Sequence, residues 1–146
     1  MRAPMPDSTT NTAAATFPAR AGELRRIGTF LNDFCTQRGI DREHCLRINL
    51  VVEELFTNTV RHGHRGDSDA PVWVSVATAP EAVYVTYEDT APPFNPYALF
   101  ASSAPDVTAP LQKIGGLGVL LTRELAATRD YAYLFGRNRI RLTLKQ

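Results

Sequence analysis

The sequence predicts a single α/β domain, a two-layer sandwich in which three main helices cover one face of a mostly antiparallel mixed sheet. Apolar residues recur at helical spacing through 19–62 and again beyond residue 115, and these stretches alternate with short runs of period two. The runs are joined in pairs by connections too short for a parallel crossover. With 146 residues and 44% hydrophobic content, the chain can bury one core of its own.

Residues 1–11 are rich in Pro, Ser and Thr and read as a disordered tail ahead of a domain spanning 12–146. Thr12 to Pro18 reads as a first strand. Leu24, Ile27, Leu31, Phe34 and Cys35 then mark a helix over 19–38 that Gly39 stops. Asp41 is placed to cap a second helix reaching about His62, ended by Gly63 and the polar "HRGDSDAP". "VWVSVAT" and "AVYVTYED" form a hairpin across "APE". A Pro-rich stretch between Asp89 and Gly116 is too broken for a long helix and reads as a functional loop. "GGLG" opens a third helix running to about Thr128, and "YAYLF" and "RIRLTLK" close the chain as a hairpin turned by "GRN". In that last strand Ile140, Leu142 and Leu144 face in, and Arg139, Arg141 and Lys145 face out.

A formal net charge of +1 gives no electrostatic case for direct nucleic-acid binding or for an anionic membrane. Cys35 and Cys45 lack framework spacing and read as reduced, partly buried thiols. The chain has no apolar run of membrane-spanning length, and its first residues lack the apolar core of a signal peptide, so a cytoplasmic protein is expected.

Three features could carry chemistry. In "VVEELFTNTVRHGHRGD", residues four apart sit about 40° apart around a helix, so Glu54, Asn58 and His62 form one stripe. Ile48, Val52, Leu55 and Thr59 form the neighbouring stripe that faces the sheet. Helix surfaces also tolerate such polar residues, and Glu54 pairing with Asn58 is an equal reading of the stripe alone. Asp89 ends a strand before "TAPPFNP"; it suits an exocyclic amine inside a pocket, although an Asx-turn is the commoner role for such a residue taken by itself. The glycines of "GGLGVLLTREL" free backbone amides at a helix start, where phosphate binds, or simply make a turn. They match neither a Walker loop nor a dinucleotide-binding fingerprint. A zinc site from His44, Cys45, His62 and His64 is disfavoured, because those spacings point the side chains apart.

Taken in order, "EELFTNTVRHG", "DTAPPFNP", "GGLGVLLTRELA" and "YAYLFGRNRIRLTL" resemble the N box, the two glycine boxes and the closing hairpin of the GHKL ATPases. This is the Bergerat fold of histidine-kinase catalytic domains, gyrase B and Hsp90 chaperones. The resemblance is narrower to the anti-sigma factor serine/threonine kinases and their stand-alone ATP-binding relatives, and it runs from about Thr12 to Lys145. It implies ATP and Mg²⁺ as cofactors, Glu54 as general base, and Asn58 as the Mg²⁺ ligand. Asp89 would bind the adenine amine, and Gly116 and Gly118 would turn amides toward the phosphates. Residues 96–114 would form an ATP lid. His62, Ala91, Phe94, Gly115, Leu117 and Thr143 join the implied nucleotide-contacting set, with Arg61 and Lys113 as phosphate contacts on charge grounds. Ala91 departs from the family's Asp-x-Gly, and its methyl is expected to narrow the approach of backbone to nucleotide. Asn95 stands where an Asp is common. A sensor histidine kinase is not expected, since no phosphoacceptor helix pair fits before the N box.

The implied activity is phosphorylation of a Ser or Thr on a STAS-type anti-anti-sigma partner, sequestration of a sigma factor, or both. The alternative is a nucleotide-binding regulatory module without useful catalysis, one that docks a STAS-type protein, a PP2C-type phosphatase or a sensor. Members of the group commonly form homodimers.

Overall fold

The computed structural model describes residues 11–97 and 125–146. Five strands, β1 (Thr12–Pro18), β2 (Pro71–Ala79), β3 (Ala82–Asp89), β4 (Thr128–Leu134) and β5 (Arg137–Lys145), make one sheet in the order β1-β2-β3-β5-β4. Every pair in it is antiparallel, so no mixed pairing occurs among the described residues. Parity along the strands decides the faces. Val72, Val74 and Val76 of β2 are buried on the inner face, as are Val83, Val85 and Tyr87 of β3 and Ile140, Leu142 and Leu144 of β5.

Two α-helices cover that face, α1 (Leu24–Arg38) and α2 (Arg42–Asn58). A 3-10 turn over Ala21–Glu23 leads into α1, so the regular helix starts later than Ala19. Helix α1 buries Ile27, Leu31, Phe34 and Cys35, and α2 buries Ile48, Val51, Val52, Leu55 and Phe56. These residues form one continuous core with the inner sheet face. Gly39 ends α1 with φ 67°, the left-handed conformation glycine adopts without strain. Asp41 caps α2: its Oδ1 accepts the backbone N–H of His44 at 2.8 Å and lies 2.7 Å from His44 Nδ1. His44 is thereby committed to the cap, and Cys45 Sγ to Asn32 Oδ1 at 3.3 Å.

Three expectations are corrected. The α-helical part of the second helix stops at Asn58 and continues as a π-helical turn, Thr59–Gly63, in which the N–H of His64 reaches Thr59 O at 2.9 Å. The last hairpin turns at Phe135-Gly136, both left-handed with φ 53° and 76°, so Arg137 and Asn138 belong to β5 instead of to a "GRN" turn. The third helix cannot reach Thr128, which already pairs with Thr143; of that helix only Leu125 is described, and Gly115 to Glu124 lie outside the described residues. So does the expected tail, apart from Asn11, whose carbonyl accepts the N–H of Thr78 at 2.9 Å. No helix of the described residues is long and apolar enough to cross a membrane.

Candidate functional site

A cavity of about 320 Å³ opens where the end of α2 meets the end of β3. That is within the range of small-molecule sites. Leu55, Tyr87, Ile140 and the Pro92–Phe94 segment supply much of an apolar wall. Asn58, Thr59, His62, Arg65, Asp89 and Asn138 supply the polar groups.

The π turn is what brings α2 onto β3. Thr59 and Val60 are buried, and the Thr59 hydroxyl lies 2.7 Å from Asp89 Oδ2, 2.6 Å from the Tyr87 hydroxyl and 3.0 Å from Leu55 O. A hydroxyl has one proton, and a carboxylate oxygen is its strongest acceptor here. Thr59 therefore donates to Asp89, and Tyr87 donates to Thr59. Burial holds the Tyr87 phenol well above its usual pKa, which keeps that proton in place.

Asp89 is only 7% exposed. Its Oδ1 accepts the Asn138 side-chain amide at 2.9 Å and the Ala91 N–H at 3.2 Å. The Ala91 contact is the Asx-turn that sequence allows; the cavity wall is the alternative role, and the residue occupies both positions. With Thr59 on Oδ2, three donors are accounted for, and a carboxylate accepts about four. The remaining acceptor capacity is what the cavity offers to a ligand N–H.

Asn138 escaped the sequence reading because it was placed in a turn. It is buried on β5 directly opposite Asp89. Its Nδ2 donates to Asp89 Oδ1, to Ala91 O at 2.9 Å and to Pro92 O at 3.1 Å, while its Oδ1 accepts the Phe94 N–H at 3.0 Å and the Tyr131 hydroxyl. One amide thus fixes both the carboxylate and the loop that walls the cavity. The usable signal was an amide at the strand position facing a strand-end Asp.

Asn58 lines the cavity with both side-chain atoms, Oδ1 and Nδ2, buried and without a hydrogen-bond partner among the described residues. A buried amide left unsatisfied costs about 1–3 kcal/mol, so a group that a ligand satisfies is the economical explanation. Its Oδ1 is a hard oxygen of the kind Mg²⁺ accepts, so the residue fits that ion. His62 lines the cavity too, exposed at its edge. Glu54 lies one turn before Asn58, half-buried, and is not among the cavity-lining residues. Desolvation, then the neighbouring Glu53 charge, raise the Glu54 pKa, while Arg61 lowers it.

Ala91 and Phe94 line the cavity as well. Thr143 is not brought to it. Leu142 and Leu144 are buried on the inner face, so Thr143 stands on the outer face, paired with Tyr84 and Thr128. Gly115, Gly116, Leu117, Gly118, Lys113 and nearly all of the expected 96–114 lid lie outside the described residues.

A family model described as the histidine kinase-like ATPase domain matches residues 17–144. Two solved structures share the fold. One holds the RsbU and RsbW domains of Rv1364c from Mycobacterium tuberculosis; it is 19% identical with a TM-score of 0.64, over 99% of this chain and 34% of that one. This chain therefore spans about a third of that protein's chain. The other is the SiaB–SiaC complex from Pseudomonas aeruginosa, 15% identical with a TM-score of 0.58, over 92% of this chain and 89% of the matched one. No curated protein sequence matches the chain.

Proposed function

The chain belongs to the histidine kinase-like ATPase domain family, and on that premise we propose that it is an ATP-binding regulatory protein that phosphorylates a Ser or Thr of a STAS-type partner, sequesters a sigma factor, or both. The observation that carries the ATP reading is the pair of orphaned Asn58 amide atoms in the same cavity as the buried Asp89 carboxylate. A polar group with no partner among the described residues at one wall and an acceptor with spare capacity at another are complementary to a Mg²⁺-bound phosphate and an amine-bearing base. One neighbouring fold was solved as a complex of two proteins, which supports a protein partner here.

In this reading Asn58 Oδ1 would hold Mg²⁺, whose chemistry is to neutralise charge building up on the phosphates during transfer. Asp89 orients the base, and the Thr59, Ala91 and Asn138 donors keep its carboxylate fixed. Glu54, with its raised pKa, would take the proton of the attacking hydroxyl. The test is a thermal shift with Mg·ATP, followed by γ-phosphate transfer to candidate STAS-type proteins. No shift at millimolar Mg·ATP would end the proposal.

The second reading, a nucleotide-binding module without useful catalysis, draws on the position of Glu54 off the cavity lining. Tight ADP binding combined with no transfer to any partner decides for it.

A further inference from the structure

We propose that Tyr87 is a positioning residue for base selection: acting through Thr59, it leaves the Asp89 wall of the cavity able to accept hydrogen bonds but not to donate them. The role rests on the ATP-binding reading above and adds a residue to it. Tyr87, Thr59, Asp89 and Asn138 all line the cavity, and all four are buried.

A threonine hydroxyl on a cavity wall ordinarily has two uses, since it donates one bond and accepts others. A wall with that freedom takes an amine or a carbonyl. Thr59 lacks it. Its Oγ1 has the Tyr87 hydroxyl at 2.6 Å, Asp89 Oδ2 at 2.7 Å and Leu55 O at 3.0 Å. Those neighbours crowd every position that one proton and two lone pairs can offer. Tyr87 holds its position as the donor, because burial keeps the phenol protonated and the Thr59 proton is drawn to Asp89. A chain of donors running one way strengthens each link. Thr59 therefore has neither a proton nor a lone pair to turn toward a ligand.

The other donors bonded into this wall are spent as well. Asn138 Nδ2 gives its hydrogens to Asp89 Oδ1, Ala91 O and Pro92 O. The Ala91 N–H goes to Asp89 Oδ1, while the Phe94 N–H and the Tyr131 hydroxyl go to Asn138 Oδ1. What remains is the spare acceptor capacity of Asp89. A base with an exocyclic amine finds its partner there. A base with an oxo group in that place sets one acceptor against another and leaves both unpaired, which is how a polar site rejects a near-isostere. The Tyr87 ring belongs to the hydrophobic core, so Tyr87→Phe keeps the packing and removes only the hydroxyl. One position around Thr59 Oγ1 then opens, and the Thr59 proton is free to leave Asp89 and meet an oxo group.

Calorimetric titration with Mg·ATP and Mg·ITP tests this, since inosine carries an oxo acceptor where adenosine has its amine. The parent chain is expected to prefer ATP by on the order of 100-fold, and Tyr87→Phe by only about tenfold, chiefly through tighter ITP binding. The double variant Tyr87→Phe/Thr59→Val restores the parent's preference, because valine keeps the shape of threonine and has no proton to turn. Thr59→Val alone keeps that preference too. A merely structural loosening by Tyr87→Phe would not be reversed by a second substitution. An unchanged preference in Tyr87→Phe, an equal loss of both nucleotides, or a double variant as permissive as Tyr87→Phe overturns the role. Should the variants not fold, the parent's own preference still decides. A parent chain that binds ATP and ITP alike overturns this inference and leaves nucleotide binding standing. One that binds neither defeats the ATP reading with it, which distinguishes the two failures.

Discussion

A β-carbon placed on Gly63 would lie 2.7 Å from the β-carbon of Ala91, closer than two such carbons approach. The methyl at position 91 is therefore accommodated by the absence of one at 63, which joins the end of the π turn to the loop after β3. The expectation that Ala91 simply crowds a nucleotide leaves this partner out. Gly63→Ala is predicted to cost about 1–3 kcal/mol through overpacking. Ala91→Gly alone should cost about 1 kcal/mol through chain flexibility. Combined, the two should be more stable than their sum by about 1 kcal/mol or more, because the clash is gone. Urea midpoints at constant slope measure this, and strict additivity would refute the interlock.

Asn58 offers a trade between stability and function. Its amide is buried without a partner among the described residues, so Asn58→Leu removes a desolvation cost and keeps the volume roughly constant. The unliganded protein is predicted to gain about 1 kcal/mol, while the thermal shift produced by Mg·ATP disappears. A variant both less stable and still responsive to Mg·ATP would show that the amide has a structural partner instead.

Much of this geometry was legible from local chemistry. Gly39 and Asp41 mark their helix ends because the left-handed stop and the oxygen cap are single-residue effects. Strand parity was legible too, and it should have warned against Thr143: once Leu142 and Leu144 face in, the residue between them cannot. The rest depended on tertiary contacts. Nothing local announces a π turn, since Thr59 is drawn into it by bonds to Tyr87 and Asp89, some thirty residues away. The last turn was misplaced because Phe135 holds a left-handed φ that bulky residues avoid, and Asn138 was lost with it. Arg65 was hidden in a polar loop, where only its backbone angle and the cavity beside it single it out.

Asn138 is predicted to be the most costly polar residue to remove. Asn138→Leu leaves Asp89 Oδ1 short of a donor, and it strands the Ala91 and Pro92 carbonyls and the Phe94 N–H. Some of these groups recover water, so a loss of about 3 kcal/mol is expected, not the full sum. Nucleotide affinity should fall further than stability alone requires, since the carboxylate loses its fixed orientation. A loss under about 0.5 kcal/mol in chemical denaturation would mean the amide is not the clamp its bonds describe.

Glu54 gives a prediction in pH. Burial and the Glu53 charge raise its pKa above the ordinary 4.5 in the folded protein. In the window between 4.5 and that raised value, the native state binds more protons than the unfolded chain. Stability from this group is thus fully present below the lower limit and declines as pH rises through the window. Glu54→Gln removes the titration, so its melting temperature relative to the parent chain should climb from pH 4.5 upward and then level off. If Glu54 is also the general base, the same substitution lowers kcat for phosphotransfer by about 10²–10⁴-fold, with ADP affinity intact. A parallel pH profile for parent and variant would remove the pKa argument. Unchanged kcat beside a proven phosphotransfer would leave Glu54 a half-buried helix residue and assign the proton to another group.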